Sequence, residues 1–334
     1  MKQRLENILS GKRCTRSEAK ELMHEALDES TNEAQVAAFL TCLRVRGVKP
    51  EELMGFADAL LELAVAVDLS PHPVIDVCGT GGDGRGSFNI STSVAFVLAG
   101  AGYKVAKHGN YGVSSACGSS NVLEELGVPF TTDTVQLRKA LEKANACFLH
   151  APHFHPALKR VAPVRKALGF RTVFNMLGPL VNPARPQFQL SGVFDRELLR
   201  LYGYVLRERG QRFVIVVSDD GYDEVTLTSP VSVASSQGDM KLTASDFGME
   251  AVKPSELAGG ATVQESAQIT SRVLEGKGSR AQEDVVVANA ALAILGYEEG
   301  SSLRECVDAA RDSIRSGRAA QALAVSRSTV QGDL

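Results

Sequence analysis

The sequence lacks several features that point to particular classes of protein. Its 334 residues include six cysteines, but no two form a CxxC pair and none stands at zinc-ligand spacing from histidines. Isolated cysteines of this kind are typical of a reducing compartment, so we expect a cytoplasmic protein. The opening segment, residues 1–14, has no apolar core of a signal peptide, which agrees with that expectation.

Long apolar runs and an excess of positive charge are also missing. The longest apolar stretch, Leu60–Val67, includes Glu62 and is too short to cross a bilayer. The net charge of −3 offers no overall basic surface of the kind that binds nucleic acid. We therefore expect neither a membrane nor a nucleic acid as partner. With 44% hydrophobic and 22% charged residues, the chain can nevertheless bury a substantial core.

The hydrophobic pattern changes near residue 70. Before it, apolar residues recur at helical spacing behind two capping boxes, Thr15–Glu18 and Ser30–Glu33, and Pro50 stands where a further helix would begin. After it, short buried strands alternate with helical segments, as in a mostly parallel sheet. We predict an α/β protein with a small N-terminal helical domain, residues 1–69 with a contribution from about 161–181, and a larger α/β domain, residues 70–334.

Individual elements of the α/β domain are predicted from the same patterns. Parallel strands are predicted at 74–77, 103–106, 147–150, 188–193 and 213–217, with an antiparallel addition at 225–227 and 231–234. Helices are predicted at 91–98, 120–126, 263–274, 284–295 and 303–314.

Two polar segments follow the first predicted strand. Gly79-Thr-Gly-Gly-Asp83 can bring backbone N–H groups close to an anion, although an ordinary glycine-rich turn would use the same residues. A dinucleotide site is disfavoured, because Lys107 and His108 end the next strand where an acidic residue should hold the ribose. Ser87-Phe-Asn-Ile-Ser-Thr92 leads into a helix, where its polar groups suit helix capping and also a phosphate.

A second loop of this type follows the next strand. Lys107-His-Gly-Asn110 ends that strand, and a lysine there is more often functional than buried, because a lone buried ammonium is costly. Residues 111–119 then supply hydroxyls and backbone amides suited to a pyrophosphate. Because ligands of open parallel sheets lie outside the carboxyl ends of the strands, we expect both loops to converge on one crevice.

Two further segments carry charged side chains. Residues 219–224 follow a predicted strand, and the adjacent carboxylates of Asp223 and Glu224 suit Mg²⁺, which prefers one or two carboxylates beside substrate phosphates. A solvated acidic turn is the alternative. Arg165 is a candidate clamp for a carboxylate because its planar guanidinium matches that geometry, with a surface salt bridge as the alternative.

Taken in order, these segments resemble those of the anthranilate phosphoribosyltransferase family. The resemblance is carried by residues 76–92, 107–127 and 151–183 and by the pair Asp223-Glu224, so it runs through most of the chain. It implies a fold of the nucleoside phosphorylase/phosphoribosyltransferase type, Mg²⁺ as cofactor and a homodimer. It also implies transfer of the phosphoribosyl group of phosphoribosyl pyrophosphate to the amine of anthranilate. The products would be N-(5-phosphoribosyl)anthranilate and pyrophosphate, in tryptophan biosynthesis.

The resemblance also implies roles for individual residues. The catalytic residues are expected to be Lys107, Asn110 and Arg165. Magnesium is expected at Ser91, Asp223 and Glu224, and anthranilate at Gly79, Asn110 and Arg165. Phosphoribosyl pyrophosphate is expected to contact Gly79, Gly82, Asp83, Ser87, Asn89, Ile90, Ser91, Thr92, Lys107, His108, Gly109, Asn110, Tyr111, Gly112, Val113, Ser114, Ser115 and Ser119.

The chain departs from the family pattern in the second loop. Tyr111 stands where the family usually has arginine, which removes a possible positive charge near the substrates, and Ala116-Cys117 and Asn121 replace residues that are commonly serine and aspartate. One alternative is a pyrimidine nucleoside phosphorylase-like enzyme. The pair Asp223-Glu224 and residues 163–172 disfavour it. The other is a phosphoribosyl pyrophosphate-binding paralogue with a different acceptor, and Tyr111 keeps it open.

Overall fold

A computed structural model describes residues 1–112 and 117–329. Val113, Ser114 and Ser115, all predicted to contact phosphoribosyl pyrophosphate, lie outside the described residues. The chain forms two compact units, residues 1–66 with 151–185 and residues 67–150 with 186–334. The predicted domain boundary at residue 69 and the added segment of about 161–181 stay predictions. Within the described residues, no helix is long and apolar enough to span a membrane.

The elements are numbered in chain order. The helices are α1 (Lys2–Leu9), α2 (Arg16–Leu27), α3 (Glu33–Arg46), α4 (Pro50–Glu62), α5 (Ile90–Gly100), α6 (Ser119–Glu125), α7 (Thr134–Ala144), α8 (Ala151–Phe154), α9 (Ala162–Leu168), α10 (Phe174–Leu177), α11 (Arg196–Glu208), α12 (Val263–Leu274), α13 (Arg280–Tyr297), α14 (Leu303–Arg315) and α15 (Arg318–Ser328). The strands are β1 (Ile75–Val77), β2 (Val105–Gly109), β3 (Ala146–His150), β4 (Phe188–Gly192), β5 (Arg212–Ser218), β6 (Val231–Ser235) and β7 (Gly238–Leu242).

The first unit is helical, and its helices start where the capping residues require. Thr15 and Glu18 exchange hydrogen bonds at the start of α2, which confirms the first capping box, and Pro50 is the first residue of α4. The second box, predicted at Ser30, is wrong. Helix α3 begins later, and Asn32 caps it by accepting the backbone N–H two residues ahead at 2.8 Å.

The second unit is built on one twisted sheet. Among the described residues, seven strands pair in the order β3-β2-β1-β4-β5-β6-β7, and β1 to β5 are parallel. The apolar run Phe213–Val217 in β5 is buried along its whole length, as expected for a parallel sheet with helices on both faces. Helices α5 and α13 share a continuous hydrophobic core with these strands. The predicted parallel sheet is therefore confirmed, with strand ends shifted by one to three residues.

The antiparallel addition differs from the prediction in one strand. Strand β6 is confirmed and pairs antiparallel with β5, but residues 225–227 are not a strand. Leu227 has a left-handed φ of +59°, which no extended strand accommodates. The side chain of Asn289 forms hydrogen bonds with both backbone groups of Val225. Its Oδ1 accepts the N–H at 3.1 Å, and its Nδ2 donates to the carbonyl at 2.8 Å. The edge is formed instead by β7, whose mostly exposed residues show no apolar alternation.

The strand order fixes where a ligand can bind. On one side of β1 the sheet continues with β2 and β3, and on the other side with β4 to β7. The topological switch point therefore lies between β1 and β4. Ligands of such sheets bind outside the carboxyl ends of the strands at this point. The loops that follow β1, β2, β4 and β5 are therefore the candidates for the site.

Candidate active site

The loop after β1 is shaped by glycines and lies against a carboxylate. Four glycines have left-handed φ values between +63° and +80°, which other residues adopt at a cost: Gly81, Gly82, Gly84 and Gly86. The N–H of Gly81 donates to Oδ2 of Asp223 at 2.8 Å. A Cβ on Gly79 would lie 2.9 Å from the same oxygen, so a larger residue there would displace it. The predicted glycine-rich loop thus packs its backbone against the acidic turn.

Gly192, at the end of β4, is a residue that the sequence interpretation missed. Its carbonyl accepts the N–H of Thr80 at 2.9 Å, which ties the glycine-rich loop to β4. A Cβ on Gly192 would lie 1.4 Å from the carbonyl oxygen of Asp223, closer than any side chain allows. The available signal was a glycine at the end of a strand next to the switch point, where two backbones approach closely.

The segment that leads into α5 joins the two predicted loops. Asn89 precedes α5, and its Nδ2 donates to the carbonyl of Cys117 in the second loop at 3.3 Å. Ser87 forms an isolated bridge with Ala258, which fixes the entry to the helix. Ile90 lies in the hydrophobic core, so only its backbone can take part in binding.

The first turn of α5 has the chemistry of an anion site. The N–H groups at a helix N-terminus favour negative charge. Thr92 is fully buried, and its Oγ1 has no hydrogen-bond partner among the described residues. A buried hydroxyl without a partner costs stability, so a ligand oxygen or a water would stabilise this position.

Lys107 points from β2 into the same place. Only 3% of the residue is exposed, and its Nζ donates to the carbonyl of Val77 and lies 3.3 Å from Oγ of Ser91. The ammonium is therefore held between the carboxyl end of β1 and the first turn of α5. The lysine is therefore buried, with two oxygen atoms close to its ammonium, and its expected role towards a ligand stays a prediction.

The described residues of the second loop, on either side of residues 113–116, contact the start of α6. The backbone N–H of His108 donates to Oδ1 of Asp76 at 3.1 Å, which holds the end of β2. The hydroxyl of Ser119 donates to the carbonyl of Asn110, with Oγ 3.3 Å from the carbonyl oxygen. A Cβ on Gly109 would lie 2.5 Å from the same Oγ. Asn110, Gly109 and Ser119 therefore adjoin one another, as expected for one ligand-binding loop.

Tyr111 and Gly112 form the neck of this loop. The N–H groups of Gly112 and Gly118 both donate to Oδ1 of Asn121, at 3.1 and 3.0 Å. The hydroxyl of Tyr111 donates to Glu124 at 2.7 Å, and its ring packs edge-on against His150 with centroids 4.5 Å apart. Gly112 and Tyr111 before the neck and Gly118 after it are thus bonded to side chains of α6.

The acidic turn after β5 brings two carboxylates to the crevice. Burial raises the pKa of Asp223, and the nearby charge of Asp83 raises it further. Burial and then the charge of Asp223 raise the pKa of Glu224, while the ammonium of Lys107 and the N–H of Ser91 lower it. Burial is thus the main cause of both raised pKa values, and repulsion between ionised carboxylates adds to it.

A magnesium ion fits these residues. Two neighbouring carboxylates with raised pKa values need positive charge to stay ionised together, and Mg²⁺ supplies it. In the part of the chain that the structure describes, no group of three or more His, Cys, Asp and Glu side chains is arranged to hold a metal ion. That is the usual situation for Mg²⁺, which takes only one or two carboxylates from the protein and completes its coordination with phosphates and water.

The first two aspartates of the turn are engaged elsewhere. Asp219 pairs with Arg196 and Lys241, each at 2.7 Å. The carboxylate of Asp220 accepts the hydroxyls of Thr228 and Ser229, at 2.6 and 2.8 Å. These contacts shape the turn, and Asp223 and Glu224 stay the predicted metal ligands.

Arg165 belongs to the first unit. It lies on α9, and its guanidinium sits over the ring of Phe174 at 5.2 Å from the centroid. Stacking of this kind holds the planar group in one orientation. Its predicted contact with a carboxylate substrate stays a prediction.

Fold and site together define the class of protein. Loops from successive strands gather glycine amides, a helix N-terminus, a buried lysine and a carboxylate pair at the switch point of a mostly parallel sheet. This is the arrangement of an α/β enzyme that acts on a phosphorylated substrate held with a divalent cation.

Comparisons with known proteins identify the family. Residues 71–320 match the α/β domain of a glycosyl transferase family, and residues 2–64 match its helical bundle domain. An anthranilate phosphoribosyltransferase of Cytophaga hutchinsonii is 52% identical over 96% of this chain and 97% of its own length. The crystal structure of the anthranilate phosphoribosyltransferase from Thermus thermophilus has a TM-score of 0.92 at 35% identity, covering 98% of this chain and 99% of that one.

A further similar structure carries ligands. It is the anthranilate phosphoribosyltransferase of Saccharomyces cerevisiae in complex with phosphoribosyl pyrophosphate and Mg, with a TM-score of 0.91 and 30% identity. The similarity covers 98% of this chain and 96% of the yeast chain. This protein belongs to the anthranilate phosphoribosyltransferase family.

Proposed function

We propose that the protein transfers the phosphoribosyl group of phosphoribosyl pyrophosphate to the amine of anthranilate, with Mg²⁺ as cofactor. The products are N-(5-phosphoribosyl)anthranilate and pyrophosphate, in tryptophan biosynthesis. One observation carries the proposal within the structure: Lys107, the first turn of α5 and the pair Asp223-Glu224 lie together at the switch point. Family membership then gives the reaction that such a site performs.

The reaction is a displacement at C1 of the ribose. The bond from C1 to the pyrophosphate oxygen breaks with its electron pair on pyrophosphate, positive charge develops on the sugar ring, and the amine nitrogen then bonds to C1. The amine finally loses a proton to solvent. Because the amine of anthranilate is neutral at pH 7, the enzyme mainly positions the reactants and stabilises charge.

The chain's own residues have distinct tasks in this scheme. The glycine-rich loop offers backbone N–H groups to the phosphates, and Lys107 offsets negative charge on the leaving pyrophosphate. Ser91, Asp223 and Glu224 would hold the metal. When bound, Mg²⁺ would neutralise part of the pyrophosphate charge and so make it a better leaving group.

The acceptor side of the site is assigned to Gly79, Asn110 and Arg165. The stacked guanidinium of Arg165 suits a bidentate contact with the carboxylate of anthranilate, which would direct its amine towards C1. Asn110 lies in the second loop beside Ser119, where its amide can contact the acceptor. Gly79 lies directly against the carboxylate of Asp223, so a larger residue there would displace that carboxylate.

Product analysis tests the proposed reaction. Purified protein with phosphoribosyl pyrophosphate, Mg²⁺ and anthranilate is expected to form N-(5-phosphoribosyl)anthranilate and pyrophosphate in equal amounts, measured by mass spectrometry and a pyrophosphate assay. Binding of phosphoribosyl pyrophosphate by calorimetry without this product would identify a paralogue with another acceptor. Release of a free base from a pyrimidine nucleoside with inorganic phosphate would identify a phosphorylase.

We also propose that the enzyme is a cytoplasmic homodimer. The six cysteines are scattered singly along the sequence with no CxxC pair, which is typical of a reducing compartment. Exposed apolar side chains on the first unit, among them Leu9, Val45 and Phe170, support a protein interface there. Light scattering of the purified protein is expected to give twice the mass of the chain, and a monomer mass would contradict the dimer.

A further inference from the structure

Arg85 connects the glycine-rich loop with the acidic turn. It lies between the left-handed residues Gly84 and Gly86, and its guanidinium donates to the carbonyl of Asp220. The same guanidinium lies over the ring of Tyr222, with Cζ 5.4 Å from the centroid. A planar guanidinium can donate in its plane and stack with its face at the same time, which a lysine ammonium does not do.

The turn offers a fixed anchor for this side chain. The carboxylate of Asp220 is held by two hydroxyls, so its carbonyl is well positioned. Tyr222 is only 5% exposed, and its carbonyl accepts the N–H of Ser218 at 3.0 Å. Arg85 therefore attaches the loop to a backbone carbonyl and a buried ring, and both belong to residues with hydrogen bonds of their own.

At the other end, Arg85 is coupled to a residue of the site. Its backbone N–H donates to Oδ1 of Asp83 at 3.0 Å. Gly81, two residues before Asp83, in turn donates its N–H to Oδ2 of Asp223 at 2.8 Å. Movement of Arg85 would therefore move Asp83 relative to the acidic pair.

The loop needs such an attachment because of its composition. Glycine has more backbone freedom than any other residue, so ordering a segment with four left-handed glycines has a large entropic cost. The loop is held at one end by the contact between Gly81 and Asp223, and at the other by the N–H of Phe88, which donates to Leu257 at 3.0 Å. Between these points, Arg85 supplies the long-range side-chain contacts.

We propose that Arg85 is a positioning residue that holds the glycine-rich loop against the acidic turn in the ligand-free enzyme. It holds the part of the loop that carries Asp83 close to the acidic turn, and so reduces the ordering that phosphoribosyl pyrophosphate has to impose on the loop when it binds. Arg85 acts through these residues and not on the reacting atoms. The identity of the substrate rests on the proposed function, whereas the restraint on the loop does not.

Hydrogen–deuterium exchange of the ligand-free protein tests the restraint directly. Arg85→Ala is expected to increase deuterium uptake in peptides that cover residues 79–86 and 219–224, with the rest of the chain unchanged. Arg196→Ala is the matched control, since it removes an exposed arginine that pairs with Asp219 of the same turn but has no role in the loop. Equal uptake in Arg85→Ala and wild type would overturn the proposal.

Steady-state kinetics then test the consequence for the substrate. In Arg85→Ala the KM for phosphoribosyl pyrophosphate is expected to rise about fivefold, with kcat and the KM for anthranilate within about twofold of wild type. Full recovery of both KM and deuterium uptake in Arg85→Lys would overturn the requirement for a planar guanidinium. Increased uptake in Arg85→Ala together with a wild-type protein that turns over no anthranilate would refute the proposed function and leave the loop restraint intact.

Discussion

The carboxylate of Asp223 accepts the backbone N–H of Gly81 at 2.8 Å, although the two residues are 142 positions apart in the chain. This contact joins the glycine-rich loop after β1 to the acidic turn after β5. The loop that would hold the phosphates and the turn that would hold the metal are therefore joined directly by a hydrogen bond. Changes to either side of this contact should affect the same substrate.

Removal of the acidic pair should abolish turnover. In Asp223→Asn combined with Glu224→Gln, the side-chain shapes are kept but the negative charge that would hold Mg²⁺ is lost. We expect kcat/KM for phosphoribosyl pyrophosphate to fall by about 10³-fold or more. The rates are measured over a Mg²⁺ titration, with circular dichroism as the control for folding. Near-normal activity at any Mg²⁺ concentration would contradict the metal assignment.

Gly192 should tolerate no side chain. In Gly192→Ala the new Cβ would meet the carbonyl of Asp223 at 1.4 Å, so two backbones must separate. We expect a loss of about 3 kcal/mol of stability, seen as a melting temperature lower by about 5 °C or more.

A glycine of α11 provides the control for this substitution. In Gly203→Ala the new Cβ lies 3.2 Å from the end of the Arg207 side chain and in ordinary contact, at 3.9 Å, with Cβ of Ala234, and alanine favours a helix. Its melting temperature should stay the same or rise. Equal melting temperatures for Gly192→Ala and wild type would show that the close approach is not needed.

Arg165 should act on anthranilate alone. Arg165→Ala removes the proposed carboxylate clamp, and we expect the KM for anthranilate to rise about 10- to 100-fold while the KM for phosphoribosyl pyrophosphate changes less than about twofold. Lysine at this position should not restore it, because an ammonium lacks the planar fork. Lys166→Ala, an exposed neighbour on α9, is the control. Parallel changes in both KM values would argue for a purely structural role.

Tyr111 should stabilise the neck of the second loop. Tyr111→Phe removes the hydroxyl that donates to Glu124 at 2.7 Å, and we expect the KM for phosphoribosyl pyrophosphate to rise about threefold. Tyr111→Arg should retain activity, because the guanidinium can pair with the same carboxylate. Glu124→Gln keeps an acceptor and should resemble wild type. A Tyr111→Phe enzyme with an unchanged KM would show that the hydroxyl does not hold the loop.

His155 should make the stability of the first unit depend on pH. It is 2% exposed, and burial lowers the pKa of its imidazole below the ordinary value of about 6.5. The unfolded chain therefore binds a proton more readily than the folded one. The stabilising effect of the neutral ring is fully present above pH 6.5 and is lost as the pH falls towards the folded pKa, by at most about 1.4 kcal/mol per pH unit.

A variant isolates this contribution of His155. The melting temperature of the wild type is expected to fall between pH 8 and pH 5.5 more steeply than that of His155→Gln. Other groups titrate in both proteins and cancel in the comparison. Parallel curves for the two proteins would contradict the lowered pKa.

Local signals made much of the fold predictable. The capping box at Thr15 and the proline at position 50 fix two helix starts by themselves, and the apolar periodicity of residues 263–274 gives the bounds of α12. The polar segments after β1 and β2 were predicted to converge because parallel strands gather their carboxyl ends at one edge. The contact of Lys107 with Ser91 is the structural outcome, and the contact of Gly81 with Asp223 adds the acidic turn after β5.

Other features depend on contacts that no local pattern encodes. Gly192 is required by the backbone of Asp223, and this approach exists only once β4 and β5 are paired. Residues 225–227 have the apolar composition of a strand, but Asn289 from α13 satisfies the backbone of Val225 instead. Arg85 is an exposed side chain in a loop, so its link to Asp220 follows from the tertiary structure alone.

The fluorescence of anthranilate provides the most direct test of the whole account. Purified protein is mixed with anthranilate, phosphoribosyl pyrophosphate and Mg²⁺, and the emission of anthranilate is followed over time, with each component omitted in turn. We expect the emission to decay only when all three are present with the protein. A folded protein that binds phosphoribosyl pyrophosphate but leaves the emission of anthranilate unchanged would contradict the proposed reaction.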